Sequence, residues 1–210
     1  MNNETSIKVW DIFIRIFHWS LVLAFTVAYF TSEEENPWHI YAGYTVLGLV
    51  IFRLIWGFVG SQHARFSNFV CSPANVFRYI GALRAGTAQH YLGHNPLGGW
   101  MVVVLLSTLL VVTISGLKVY AIEEGRGPLA GNQPILGVIT AAHTEEDGNT
   151  DEETSASTEE DEEFWEEIHE GSTNFMLLLI GLHLIGVILS SKLHKENLVK
   201  AMLTGKKPKP

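Results

Sequence analysis

The sequence HEGSTNFMLLLIGLHLIGVILSSK, residues 169–192, decides the fold of this chain. A bilayer core about 30 Å thick is crossed by a helix of roughly 20 mostly apolar residues. The most apolar part, Phe175–Leu189, is shorter than that, but the helix can extend from Glu170 to Lys192 if its outer turns lie at the interface or against protein. We therefore predict a membrane helix over residues 170–192, with His169 at its start and His183 within it.

Three further segments satisfy the same length and composition rule directly: residues 12–30, 39–59 and 97–117. The chain of 210 residues is 47% hydrophobic and 17% charged, which is too apolar for an ordinary soluble domain and too short for a large transporter. We predict one membrane domain over residues 1–210, an all-α bundle of four transmembrane helices.

The basic residues indicate how these helices are oriented. If the N-terminus is cytoplasmic, only Lys118 and Arg126 lie on the outer side. The inner side then holds Lys8, Arg65, Arg78, Arg84, Lys192, Lys195, Lys200, Lys206, Lys207 and Lys209. This asymmetry satisfies the positive-inside rule, so we predict that both termini are cytoplasmic. The first apolar stretch lacks a small-residue cleavage site, and we expect it to be retained as an anchor.

The acidic residues are concentrated on the other side. Of the 22 Asp and Glu residues, 19 fall in Glu33–Glu35 and Glu123–Glu170. Residues 143–168 are low in apolar side chains until Phe164, and we predict a disordered or partner-ordered external loop there. Such a patch can steer a basic protein by long-range attraction, although a solvated loop without a partner has the same composition.

Four histidines lie in or at the ends of the predicted spans: His18, His39, His169 and His183. One intramembrane histidine alone is often only a hydrogen-bonded packing residue, but ionisable residues in spans are expensive and usually functional. His169 and His183 are 14 residues apart, which returns them to within roughly 40° of one helix face and separates them by about 21 Å. The helix therefore presents two stacked sites.

The rise of about 1.5 Å per residue along each helix axis gives the depths of these side chains in the membrane. His18 lies about 10 Å past Asp11 and His183 roughly 13 Å from Lys192, so the two share a depth in the inner half of the membrane. His39 and His169 lie at the outer boundary. A pair of imidazoles is too few ligands for zinc, whereas haem supplies four nitrogens of its own and needs two axial ligands. We predict a bundle that encloses two haems b and transfers electrons.

Three polar residues are further candidates for cofactor contacts. Arg53 is 14 residues after His39 on the same predicted helix face, where it can pair with haem propionates or simply snorkel to the inner interface. Asn95 precedes Pro96 at the start of the third helix, which suits a helix cap. His94 and Asn95 are also candidates for contact with a quinone carbonyl or a haem propionate. We identify no catalytic residue.

Small residues in the spans let helices approach one another or make room for a flat macrocycle. These glycines are Gly43, Gly48, Gly57, Gly116, Gly181 and Gly186. The remaining histidines, His63, His90, His143 and His194, fall in loops or tails, where solvent exposure is the ordinary interpretation.

The chain resembles the bacterial cytochrome b561 family, which includes the b-type cytochrome subunit of nickel-iron hydrogenases. The resemblance rests on VWD at 9–11 followed by RIFHW at 15–19, on HIYAGY at 39–44 leading to FRLIWG at 52–57, on GHNPLG at 93–98, and on the two histidines of the last span. It covers almost the whole chain, although the acidic insertion before His169 departs from a minimal member.

The resemblance implies two haems with paired histidine ligands, His18 with His183 and His39 with His169. We interpret the chain as a bacterial inner-membrane subunit of the respiratory chain that joins an external redox protein, a basic cytochrome c or a hydrogenase-like subunit, to the quinone pool. We expect no nucleic-acid partner. Two alternatives stay open: a superoxide:quinone oxidoreductase, and a haem-free membrane anchor or small transporter.

Overall fold

The computed structural model of the protein describes residues 6–32, 36–130 and 150–208. In chain order its elements are β1 (Ser6–Lys8), α1 (Ile12–Phe30), α2 (Pro37–Val59), a short 3-10 helix (Phe66–Asn68), α3 (Pro73–Arg84), α4 (Pro96–Glu123), α5 (Thr150–Leu193), α6 (Leu198–Thr204) and β2 (Lys206–Pro208). Within the described residues, the four helices α1, α2, α4 and α5 are long and apolar enough to cross a membrane. The predicted all-α fold with four membrane helices is confirmed.

Helix α5 is much longer than the predicted span of residues 170–192. It begins at Thr150, so residues 150–168 are helical, where a disordered or partner-ordered loop was predicted; residues 143–149 of that predicted loop lie outside the described residues. Glutamate is a good helix former, and acidic side chains are favoured near the positive N-terminal end of a helix. Each added residue extends a helix at low cost once the apolar part has nucleated it.

Side-chain caps fix where the other membrane helices begin. Asp11 precedes α1 and accepts a hydrogen bond from the Ile14 amide at 2.9 Å. Asn36 accepts from the Trp38 amide at 3.1 Å, with Pro37 in the first turn of α2. A cap of this kind satisfies one of the four backbone N–H groups that have no partner within the helix.

The chain divides into two compact units, each described by itself: Met1–Leu109 with Met176–Pro210, and Leu110–Phe175. In the first unit α1 packs against α2. A buried cluster forms beside the start of α1 from side chains that are distant in sequence: Val9, Trp10, Ile14, Ala64 and Ala201. The cluster joins the N-terminal segment, the loop after α2 and helix α6 on the side predicted to be cytoplasmic.

The two chain ends pair within this first unit. β1 and β2 are antiparallel, with Ser6 opposite Pro208. The Gly205 carbonyl accepts hydrogen bonds from the Val9 and Trp10 amides at 2.8 and 3.1 Å. Gly205 itself has φ of 77°, a left-handed conformation in which glycine is not strained. The pairing holds α6 against the start of α1.

Candidate functional site

His39 lies in the first turn of α2 and is oriented by the end of α1. Its Nδ1 atom is 2.8 Å from the carbonyl oxygen of Ala28. That carbonyl belongs to the last turn of α1, where carbonyls have no partner within the helix. A carbonyl can only accept, so the shared proton is on Nδ1 and the lone pair of the neutral ring is on Nε2. This is the tautomer that binds a metal through Nε2.

His169 belongs to the second unit and has the same kind of partner. Its Nδ1 atom is 2.9 Å from the Val112 carbonyl and 3.2 Å from the Ser115 hydroxyl oxygen, both on α4. The Val112 carbonyl again fixes the proton on Nδ1 and the lone pair on Nε2. Gly116 lies directly against the ring, since a Cβ there would be 2.8 Å from His169 Cε1. Two of the predicted ligands thus have the orientation that metal-binding histidines need.

The structure brings His18 and His183 together within the first unit. His18 lies on α1 and His183 on α5, both half-buried, and the two imidazoles are within electrostatic range of each other. The Nδ1 atom of His18 is closed to solvent and has no hydrogen-bond partner among the described residues. The Trp19 ring packs edge-on against His18, with ring centroids 5.0 Å apart.

Arg53 is a buried cation with an unsatisfied donor. Only 3% of the residue is exposed, and its guanidinium lies 4.8 Å from the centre of the Phe66 ring. One nitrogen, Nη2, donates to the Ala64 carbonyl at 3.1 Å, while Nη1 is closed to solvent and has no hydrogen-bond partner in the described part of the chain. Simple snorkelling to the interface would have placed the guanidinium in water. Its burial indicates that an anion or another acceptor belongs beside it.

His94 lies between two aromatic rings, 4.7 Å from the Trp10 centroid and 4.6 Å from that of Phe69. Its Nδ1 atom is closed to solvent and has no partner in the described residues. Burial, followed by the charges of Arg53 and Lys207, lowers the pKa of His94 to about 3. The ring is therefore neutral at physiological pH and carries one donor and one acceptor.

Asn95 has the capping role that its sequence position suggested. Its Oδ1 atom accepts from the Gly98 amide at 2.7 Å, in the first turn of α4. Contact between Asn95 and a cofactor stays a prediction.

Sequence reasoning did not single out two features of the site. Ser115 is 1% exposed and contacts His169, but a serine in an apolar helix resembles any packing residue. Trp10 was noted only as part of a motif, although it covers the His94 ring. Gly116 was expected to make room for a macrocycle or a helix, and the group it makes room for is the His169 ring.

Comparisons with known proteins identify two matches. A family profile described as prokaryotic cytochrome b561 matches residues 9–205. The chain is also similar to a probable Ni/Fe-hydrogenase B-type cytochrome subunit of Azotobacter vinelandii, with 25% identity over 178 residues that cover 69% of this chain and 74% of that protein. No solved structure gives a significant match.

Proposed function

Because the chain belongs to the prokaryotic cytochrome b561 family, and is thus a multi-pass membrane cytochrome b that transfers electrons, we propose that it holds two haems and connects an external redox partner to the quinone pool. The observation that carries this proposal is the shared tautomer of His39 and His169. Each imidazole donates through Nδ1 to a backbone carbonyl, and Nε2 is then the ring atom that would bind a metal.

The two pairs of ligands are proposed on different grounds. His18 and His183 lie in one compact unit, within electrostatic range of each other, and would hold the inner haem. The pairing of His39 with His169 for the outer haem is supported by the predicted depths of the two residues and by their tautomers. Paired imidazoles fill both axial positions of a haem iron and leave none for a substrate, which favours electron transfer.

Bound by these histidines, haem would supply a centre that accepts and releases one electron at a time. The surrounding residues have their own tasks. Arg53 is proposed to neutralise a propionate through Nη1, the buried donor that has no hydrogen-bond partner among the described residues. His94, neutral and buried, is proposed to donate to a propionate or to a quinone carbonyl through its unsatisfied Nδ1.

The orientation proposed is that of a bacterial inner-membrane protein with cytoplasmic termini. The basic residues support it, because the predicted topology assigns ten of them to the cytoplasmic side and only Lys118 and Arg126 to the outer side. This places His18, Arg53 and His94 in the inner half, and the acidic segment of α5 outside.

The external partner is proposed to be a hydrogenase-like subunit or a basic cytochrome c. The name of the Azotobacter vinelandii relative supports a hydrogenase. On α5, Glu160, Glu163 and Glu167 are exposed and follow one another at helical spacing of three and four residues. Phe164, 53% exposed, lies on the same face. An acidic face with an aromatic side chain suits a basic partner.

The test is the reduced-minus-oxidised absorption spectrum of the detergent-purified protein, with the ratio of haem to protein, repeated for each of the four variants His18→Ala, His39→Ala, His169→Ala and His183→Ala. Two low-spin b haems are expected, and each variant should lose or disturb one of them. His194→Ala, a change on the tail after α5, is the matched control and should leave both. A colourless protein would contradict the proposal and favour an anchor or transporter.

A further inference from the structure

One face of α4 holds the His169 imidazole through three features: the Val112 carbonyl, the Ser115 hydroxyl and the bare backbone of Gly116. We propose that Ser115 and Gly116 are positioning residues that set the plane and the tilt of the His169 ring, and hence the properties of one haem. This inference rests on the proposed function, because it takes His169 to be an axial ligand.

Gly116 contributes space that no other residue could leave. A Cβ at this position would lie 2.8 Å from Cε1 and 3.1 Å from Nδ1 of His169. Carbon atoms in proteins make contact at about 3.5–4.0 Å, so an added methyl group would push the ring away from α4. Gly171 differs, because a Cβ there would meet no atom within 4 Å.

Gly116 also opens the Val112 carbonyl to a second donor. A helical carbonyl points toward the residue four positions later and already accepts the N–H of that residue. For Val112 that residue is Gly116, which has no side chain to cover the oxygen. The His169 Nδ1 atom therefore reaches the carbonyl at 2.9 Å. A side chain at position 116 would therefore have two effects: it would crowd the His169 ring, and it would obstruct this hydrogen bond.

Ser115 supplies a second acceptor for the same proton. Its hydroxyl donates to the backbone carbonyls of Val111 at 2.8 Å and Val112 at 3.1 Å, which leaves a lone pair on the oxygen 3.2 Å from His169 Nδ1. The side chain is buried, with 1% of the residue exposed, so neither water nor lipid competes for this contact. Two acceptors increase the basicity of the ring, and a more basic imidazole binds oxidised iron more strongly.

The consequence concerns one haem only. The tilt of an axial imidazole controls its overlap with iron, and the angle between the planes of two axial imidazoles determines the electron paramagnetic resonance signal of a low-spin haem. Changing Ser115 or Gly116 should therefore alter the signal and the midpoint potential of the haem that His169 binds, while the other haem keeps both.

The experiment compares Gly116→Ala with Gly171→Ala in the full chain, purified with its haems. Electron paramagnetic resonance of the oxidised protein and a redox titration are recorded for each. The expected result is a displaced signal and a displaced potential for one haem in Gly116→Ala, with both haems unchanged in Gly171→Ala. Two unchanged haems in Gly116→Ala would overturn the inference, as would equal effects from the two variants.

Ser115→Ala tests the same positioning role without adding bulk. It therefore remains a test if the Gly116→Ala protein does not accumulate. It should raise the potential of the same haem, because one acceptor is lost. Ser172→Ala should not, because the Ser172 hydroxyl donates to the backbone carbonyl of His169 and not to its ring. The variant His169→Ala distinguishes a failure of the positioning role from a failure of the proposed haem ligation. If it removes one signal and Ser115→Ala changes nothing, the positioning role is wrong and the proposed function stands.

Discussion

The carboxylate of Asp11 joins the start of α1 to the end of α2, because its Oδ2 atom accepts a hydrogen bond from the Trp56 indole at 3.2 Å. The Ser61 hydroxyl donates to the same oxygen, and the other oxygen caps α1. One side chain therefore fixes three segments at the end of the molecule where the chain termini pair.

Replacing Asp11 by alanine should lower the free energy of unfolding by about 1–3 kcal/mol, because a helix cap and two side-chain hydrogen bonds are lost together. Asp11→Asn keeps an acceptor for the cap and should lose less. Thermal unfolding of the detergent-solubilised protein measures both. A melting temperature in Asp11→Ala equal to that of the native chain would contradict the bridging role.

The contribution of Asp11 should depend on pH. Partial burial alone would raise its pKa, but the hydrogen bonds from Ser61, Ile14 and Trp56 outweigh burial and lower the pKa below 3.8, its value in the unfolded chain. A lowered pKa means that the stabilisation is complete above the unfolded value and is lost as the pH falls through the folded one. The difference in melting temperature between native protein and Asp11→Ala should therefore narrow between pH 7 and pH 3. A constant difference would refute the charge-assisted account.

His94 should also make the protein less stable as the pH falls, but for a different reason. The unfolded chain takes up a proton on this ring near pH 6.5, whereas the folded ring resists protonation until about pH 3. Stability must then decrease as the pH falls below 6.5, because the unfolded state binds more protons. Relative to His94→Gln, the native protein should lose roughly 1–2 kcal/mol between pH 7.5 and pH 5. Parallel pH profiles for the two proteins would show that His94 titrates normally when folded.

The sequence predicted the spans well because apolar length is a local property. The bounds of α1 match the predicted 12–30, and α2 begins at Pro37, two residues before the predicted 39. Helix α5 was predicted from its apolar part only. Its acidic segment was assigned to a loop because a polar composition does not distinguish a solvated helix from a disordered chain.

The pairing of the chain ends could not be predicted, since β1 and β2 have three residues each and are separated by almost the whole chain. Helix α3 did have a local signal in Ser72 followed by Pro73, which is typical of a helix start. For the site, helical spacing indicated which histidines to compare. It could not indicate that the Ala28 and Val112 carbonyls accept hydrogen bonds from the Nδ1 atoms of His39 and His169, because every residue has a backbone carbonyl and the sequence does not show which one is the acceptor.

Arg53 offers a test of the proposed propionate contact. A buried cation beside a haem favours the reduced state, so Arg53→Met should lower the midpoint potential of one haem. The change should be on the order of tens of millivolts, given that about 59 mV corresponds to a tenfold change in a one-electron equilibrium. Arg53→Lys keeps the charge and should shift the potential less. Arg78→Met removes an exposed charge from α3 and serves as the control. Unaltered potentials in Arg53→Met, with both haems retained, would exclude the contact.

The acidic face of α5 should control the rate at which an external redox partner associates with the protein. Opposite charges attract over about a Debye length, roughly 10 Å at 0.1 M salt, and this attraction increases association rates without changing the redox centre. Neutralising Glu160, Glu163 and Glu167 together as glutamines preserves the size of the side chains and their helix propensity. Electron exchange with a basic soluble cytochrome c should then slow by roughly tenfold at low salt.

Two comparisons identify electrostatics as the cause of such a decrease. At high salt the native protein and the triple variant should exchange electrons at similar rates, because screening removes the attraction from both. Phe164→Ala, which leaves every charge in place, should instead weaken the complex at both salt concentrations, since the loss is one of apolar contact. If the triple variant matches the native rate at low salt, this face of α5 does not receive the partner, and a docking surface must be sought elsewhere on the outer side.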